Sequence, residues 1–170
     1  TPNTPTEALA PATIGYWLLL AFVPSSLMLA VTSKMTTDLG AVPLLWVIPL
    51  ALFLLTFVMT FSNKTPFQGK WLTYLAQISV ALGIAIFSGV SGARLSPEIG
   101  ATLLFVFFAI TVWAHRTLYE ARPPAAHLTV FYVTMSIGGA LGGLFNSILA
   151  PVLFSSQYEG SITLLIVMVV

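Results

Sequence analysis

The sequence predicts an all-α, polytopic transmembrane helical bundle with five full spans and a partial or sixth helix. The first observation is composition, because 58% of the 170 residues are hydrophobic and only 6% are charged. Soluble domains carry about 25% charged residues. The second is that the apolar runs are continuous and lack the alternation typical of transmembrane strands. A soluble globular domain and a disordered chain are therefore excluded, and a net charge of +1 argues against a nucleic-acid binder.

The elements follow from the positions of the charged residues. Residues 1–12 are rich in Thr and Pro and indicate a linker or terminal segment, which precedes a transmembrane helical domain at 13–170. A bilayer core about 30 Å thick needs roughly 20 helical residues. The uncharged runs of the sequence predict helices at 13–32, 41–61, 71–91, 99–118 and 128–154, with a partial segment at 161–170.

Prolines and charges predict the breaks between these helices. Residues 33–38 (SKMTTD) form the first predicted turn, in which Lys34 and Asp38 are four residues apart. The segment 115–129 (HRTLYEARPPAAHLT) is predicted to be a polar loop, because the residue before a proline avoids helical geometry. Pro24, Pro43 and Pro49 predict kinks within or at the ends of the first two helices.

Basic residues in the short loops predict the orientation of the bundle. If the helices alternate in direction, the side that holds the N-terminus carries four of them: Lys64, Lys70, Arg116 and Arg122. The other side carries only Lys34 and Arg94. Because cytoplasmic loops are enriched in Lys and Arg, the N-terminus is predicted to be cytoplasmic.

A cluster of small residues gives the sharpest packing signal. In SIGGALGGLFNS (136–147), Gly138 and Gly142 form one row at helical spacing, while Gly139, Gly143 and Ser147 form a second. Glycines allow two helix backbones to approach closely in a membrane. A second ridge of small residues on the third predicted helix, Ala81, Ala85 and Gly89, is a candidate partner. The row indicates tight packing within the chain, or alternatively a sliding surface or subunit interface.

Polar side chains suggest three further roles. Gln77 and Asn146 lie within predicted helices, where an amide forms interhelical hydrogen bonds or lines a polar cavity. Arg116, Glu120 and Arg122 make the predicted loop the most charged segment, and Glu120 can pair with Arg116 four residues away. The loop is either a solvated turn or a cytoplasmic docking segment.

No catalytic arrangement is found in the sequence. The chain has no cysteine, and its two histidines, His115 and His127, do not make a metal site by themselves. The glycines interrupt an apolar helix, which is the wrong setting for a phosphate loop. We therefore predict a non-enzymatic chain with no metal site and no cofactor.

Three segments together resemble a known family. They are WLLLAFVPSSLMLAVT at 17–32, TTDLGAVPLLWVIPLALFLLTF at 36–57, and LYEARPPAAHLTVFYVTMSIGGALGGLFNSILAPVLF at 118–154. They resemble the C-terminal part of the membrane region in fused major-facilitator/spermidine-synthase-like bacterial proteins. The resemblance implies a transporter-like membrane domain that precedes a cytosolic aminopropyltransferase-like domain. No residue of that cytosolic domain has a counterpart here, so none is carried over.

Two functions are therefore expected. In the first, the chain is a non-catalytic structural or accessory subunit of a larger assembly in the bacterial inner membrane, with lipid and other membrane subunits or a cytosolic domain as partners. In the second, it is half of a major-facilitator-like transporter for a polyamine or another small solute. The sequence places no Asp, Glu, Lys or Arg in mid-membrane, which weakens an ion-coupled transport mechanism.

Overall fold

The chain is helical throughout the part that the structure describes. The structure is a computed structural model, and it describes residues 9–40, 44–62, 69–89, 96–149, 152 and 159–170. Within these ranges there is no strand, so the predicted all-α class is confirmed. The helices are α1 (Pro11–Leu39), α2 (Val47–Phe61), α3 (Lys70–Phe87), α4 (Pro97–Glu120), α5 (Leu128–Leu144) and α6 (Glu159–Val169).

Helix α1 is longer than the sequence predicted. It begins with Pro11 in its first turn, where a proline nitrogen needs no hydrogen-bond partner. It continues through the predicted turn 33–38 and ends before Gly40, whose φ of 97° terminates the helix. Lys34 and Asp38 form an ion pair with an N–O distance of 3.0 Å on one face of the helix. Their charges therefore neutralise each other within α1 and do not mark its end.

Helix α2 is shorter than predicted. The residues just before it, Leu44–Trp46, form a turn, and the helix begins at Val47. Pro49 lies in the first turn of α2, where its missing N–H breaks no intrahelical bond. The predicted kink at Pro43 lies outside the described residues. The 15 residues of α2 correspond to a length of about 22 Å.

The helix α4 also extends beyond its predicted end. Ser96 caps its first turn by accepting a hydrogen bond from the Ile99 backbone N–H at 3.3 Å, and Pro97 follows. The helix runs on to Glu120, so His115 and Arg116 belong to α4 and not to a loop. Pro123 and Pro124 then separate α4 from a short 3₁₀ turn at Ala125–His127 and from α5. The predicted helix 99–118 and the predicted loop 115–129 overlap, and residues 115–120 are helical, so the loop prediction was wrong over its first six residues.

Helix α5 changes its geometry where the sequence predicted an unbroken helix to residue 154. It is α-helical over Leu128–Leu144 and becomes a π-helix over Phe145–Leu149. Four of the helical segments in the described residues are long and apolar enough to cross a membrane: α1, α3, α4 and the continuous segment Ala125–Leu149. Helix α2 is a shorter apolar helix, and α6 has 11 residues.

The central position of α1 organises the packing. It contacts α2, α4, α5 and α6, and α4 in turn contacts α2 and α3. One buried cluster joins α1, α3, α4 and α6, and includes Leu27, Val80, Phe107 and Leu164. A second cluster surrounds Trp17, whose indole N–H donates to the Ala121 carbonyl at 3.1 Å. The start of α1 and the end of α4 therefore lie at the same end of the bundle.

Candidate functional site

The glycine row of α5 lies directly against the backbone of α1. A methyl group at Gly138 would lie 2.5 Å from the Leu18 carbonyl oxygen, and one at Gly142 would lie 2.6 Å from the Phe22 carbonyl oxygen. Real Cβ atoms do not approach backbone that closely, so only glycine permits this helix separation. The Cα–H groups that replace the methyls point at carbonyl oxygens, an arrangement that recurs at helix–helix interfaces.

The second row of small residues has looser surroundings. A methyl group at Gly139 would lie 3.3 Å from Ser25 Oγ, whereas one at Gly143 would meet no atom within 4 Å. Ser147 lies in the π-helical segment and is exposed. The row of Gly138 and Gly142 therefore meets backbone atoms of α1, whereas in the second row Gly139 approaches the side chain of Ser25. The partner of α5 is α1, and not the ridge of small residues on α3 that the sequence suggested, because in the described part of the chain α3 packs on α4 and α6.

A chain of hydrogen-bonded polar side chains connects the same two helices near the C-terminal end of α5. The Asn146 amide donates to Ser26 Oγ, and Ser26 Oγ lies 2.6 Å from Thr163 Oγ1. Asn146 also donates to the Gly142 carbonyl at 3.3 Å. These bonds connect α1, the π-helical segment and α6, and Ser26 and Thr163 are both fully buried. We call the contacts of Gly138 and Gly142 with α1, together with Asn146, Ser26 and Thr163, the α1–α5 seam.

The geometry of the seam explains the position of the π-helical segment. Asn146 lies in this segment, and its amide reaches both its own helix and α1. The wider turn places Asn146 toward Ser26, and π-helical turns are frequently found at functional sites. Asn146 Oδ1 is enclosed and has no hydrogen-bond partner among the described residues. In an apolar environment each satisfied polar contact favours a single register of the helices.

The side chain of Gln77 lies away from the seam. It is exposed on α3 and lines an open groove of about 710 Å³ between α3, α4 and α6. Trp113 and Val167 line the opposite sides of this groove. No hydrogen bond from Gln77 to another helix is found among the described contacts. Gln77 therefore lies on the wall of a mainly apolar groove, and both roles that the sequence left open for it stay predictions.

The charged residues near the end of α4 form a local cluster. Arg116 Nε donates to Glu120 Oε1 at 2.8 Å, and the side chains are 14% and 60% exposed. The guanidinium carbon of Arg122 lies 4.9 Å from the centre of the Tyr119 ring, a distance typical of a cation–π contact. Arg116, Lys70 and Glu120 line a small polar depression of about 300 Å³ between α3 and α4.

Sequence reasoning missed His115 as an interior residue. The side chain is only 3% exposed, and its Nδ1 atom lies 3.1 Å from Thr56 Oγ1 of α2. The rings of Phe53 and Phe57 meet the imidazole edge-on, with centroid distances of 5.2 and 5.3 Å. The available signal was that no proline follows His115 until Pro123, so the helix could continue past Arg116. In the part of the chain that the structure describes, no three side chains of His, Asp or Glu are grouped as metal ligands.

Comparison of the chain with known protein families, characterised proteins and solved structures finds no match. Within the residues that the structure describes, the protein is an apolar helical chain in which four helices are long and apolar enough to span a membrane. Its particular features are the α1–α5 seam and the buried His115.

Proposed function

We propose that the chain is a non-catalytic, transporter-like membrane module that acts as a structural or accessory subunit of a larger assembly. The observation that carries this proposal is the α1–α5 seam. Gly142 packs directly against backbone atoms of α1. Beside this contact, the hydrogen bond from Asn146 to Ser26 restrains the relative orientation of the two helices. A helix pair held in this way has little freedom to slide, which favours a scaffold over a rocking interface.

Exposed apolar side chains provide the surface that such a subunit needs. Val58 of α2, Ile78 of α3, Val133 of α5 and Met168 of α6 are each more than half exposed. In a membrane these faces contact lipid or neighbouring helices. Lipid and other membrane subunits are accordingly the proposed partners, with a cytosolic domain as the further partner that the sequence resemblance implies.

The alternative function is half of a major-facilitator-like transporter for a polyamine or another small solute. The groove that Gln77 lines supports it, since a volume of about 710 Å³ is sufficient for a small molecule. The residues that line this groove include no Asp or Glu. A polyamine cation would lose its hydration there without a counter-charge, which favours an uncharged solute.

The proposed location is the bacterial inner membrane, with the N-terminus in the cytoplasm. Lys70 begins α3, and Arg116 and Arg122 lie near the end of α4, at the end of the bundle where α1 begins. Lys34 lies near the opposite end. The excess of basic residues supports a cytoplasmic side at the start of α1. The resemblance to fused major-facilitator/spermidine-synthase-like proteins extends this proposal to an aminopropyltransferase-like domain on the same side.

The decisive experiment is native mass measurement of the tagged chain after extraction in a mild detergent. We expect a complex with other membrane chains in a fixed ratio, which a wash in higher detergent concentration does not disperse. The competing result is a lone chain that binds radiolabelled spermidine or another solute saturably. That result would reject the subunit role and support the transporter alternative.

A further inference from the structure

A second groove lies between α2 and α5, apart from the groove of Gln77, and it borders the α1–α5 seam at Ala21 and Ser25. Its volume is about 330 Å³. The buried residues His115 and Leu118 of α4 and Ala21 of α1 form its floor. Leu54 of α2 and Tyr132 of α5 are exposed and form its rim. Because the rim residues lie on the outer faces of two membrane helices, the groove opens sideways into the lipid.

The hydrogen bonds around His115 determine which ring nitrogen faces a ligand. Thr56 Oγ1 lies 2.8 Å from the Phe53 carbonyl oxygen, to which it donates its only proton. We assign the Thr56 proton to the Phe53 carbonyl, and with this assignment the contact of 3.1 Å with His115 Nδ1 has the imidazole N–H as donor and the hydroxyl as acceptor. His115 Nε2 is then an unprotonated acceptor, and His115 has no other hydrogen-bond partner among the described residues.

The His115 side chain forms part of the groove wall, although only 3% of the residue is exposed. The rings of Phe53 and Phe57 hold the imidazole edge-on and limit its rotation. The groove thus offers a fixed hydrogen-bond acceptor at the base of an apolar, aromatic-walled site.

These features define the ligand. None of the described residues that line the groove is Asp, Glu, Lys or Arg, so a permanently charged ligand would lose its hydration without compensation. A hydroxyl group supplies the donor that Nε2 lacks, and a ring suits walls built from Phe53, Phe57 and Tyr132. We propose that this groove binds a neutral, ring-bearing hydroxyl compound from the bilayer, such as a phenol or quinol, whose hydroxyl donates to His115 Nε2.

The depth of the site agrees with such a ligand. His115 is five residues from the end of α4 at Glu120, which corresponds to about 7.5 Å along the helix axis. A polar head bound to His115 would then lie just inside the apolar layer, while an alkyl tail could pass between Leu54 and Tyr132 into the lipid. This site does not depend on the proposed subunit role, because binding of the ligand requires no protein partner.

The test uses a pair of probes that differ only in the hydroxyl group. The full chain is reconstituted in phosphatidylcholine nanodiscs and titrated calorimetrically with 4-decylphenol and with 4-decylanisole, and empty nanodiscs provide the blank. We expect saturable binding of one 4-decylphenol per chain. The methyl ether lacks the donor, so it should bind about tenfold more weakly. Binding no greater than in empty nanodiscs, or equal affinity for both probes, would overturn the proposal.

Three variants locate the site. His115→Phe retains the ring volume and removes Nε2, so it should weaken 4-decylphenol binding about tenfold and leave 4-decylanisole binding unchanged. The unchanged ether affinity shows that the variant is folded.

Ser136→Trp, on the exposed face of α5 within the groove, should block both probes. Val133→Trp is the matched control, because Val133 is exposed on α5 and does not line the groove. The proposal would be refuted if His115→Phe still bound 4-decylphenol more tightly than 4-decylanisole, or if Ser136→Trp left the binding of both probes unchanged.

Discussion

A single added methyl group tests whether Gly142 sets the separation of α1 and α5. In Gly142→Ala the new Cβ would lie 2.6 Å from the Phe22 carbonyl oxygen and 2.9 Å from the Ser26 backbone nitrogen. Ordinary contacts begin at 3.4 Å. Both neighbours are backbone atoms of a long helix, so relief requires the whole helix to move and not a side chain to rotate. We therefore expect loss of packing along the α1–α5 seam.

The magnitude follows from two opposing terms. Overpacking of a closely packed contact costs about 1–3 kcal/mol. Replacement of glycine by alanine within a helix returns about 0.5–1 kcal/mol in backbone entropy. Gly143→Ala should gain the backbone entropy without the cost of overpacking, because no described atom lies within 4 Å of its Cβ position. The free energy of unfolding should therefore be lower in Gly142→Ala than in Gly143→Ala by about 1–3 kcal/mol.

The assay is reversible unfolding of both variants in mixed detergent micelles with increasing dodecyl sulfate. Unfolding is followed by far-UV circular dichroism, because the chain has four tryptophans and Trp17→Phe, tested below, would itself change the fluorescence. The comparison holds composition constant, since each variant adds one methyl group to the same helix. Equal stability of the two variants would refute the reasoning, because the contact geometry of Gly142 would then have no energetic consequence.

Three other predictions concern individual contacts and use the same unfolding assay. A double-mutant cycle of Asn146→Leu and Ser26→Ala should give a coupling of about 0.6–2 kcal/mol, and additive effects would show that the hydrogen bond contributes nothing. Trp17→Phe removes the indole donor to Ala121 while keeping an aromatic ring, so it should destabilise the chain by about 1 kcal/mol; no loss at all would contradict that bond. Glu120→Gln should change the stability by less than about 0.5 kcal/mol, because its carboxylate is 60% exposed, and a large loss would contradict a solvated ion pair.

Composition was sufficient to predict the fold class but not the ends of the helices. The sequence located α1 and α4 by their uncharged runs, yet both helices continue through charges. Lys34 pairs with Asp38, and Arg116 pairs with Glu120, at the four-residue spacing that a helix allows. Such pairs let a helix extend through positions where isolated charges would indicate a loop. The true stops are Gly40 and the diproline at 123–124.

The sequence predicted features of the seam only where the residues involved are close together in the chain. Four-residue spacing identified the faces of Gly138 and Gly142, but the choice of α1 as their neighbour depends on the shape of the whole bundle. His115 meets Thr56, a residue 59 positions earlier, and no local pattern connects them. The contact of Asn146 in the π-helical segment was equally invisible, since its hydrogen bond to Ser26 joins residues 120 positions apart.

Disulfide cross-linking in native membranes tests directly whether the glycine face of α5 packs against α1. The chain has no native cysteine, so introduced pairs give no background. A methyl group at Gly139 would lie 3.3 Å from Ser25 Oγ. Ser25→Cys with Gly139→Cys should therefore form a disulfide rapidly under mild oxidation, while Ser25→Cys with Gly143→Cys should not. Cross-linking of Gly139→Cys with Ala85→Cys of α3, in place of Ser25→Cys, would contradict the account.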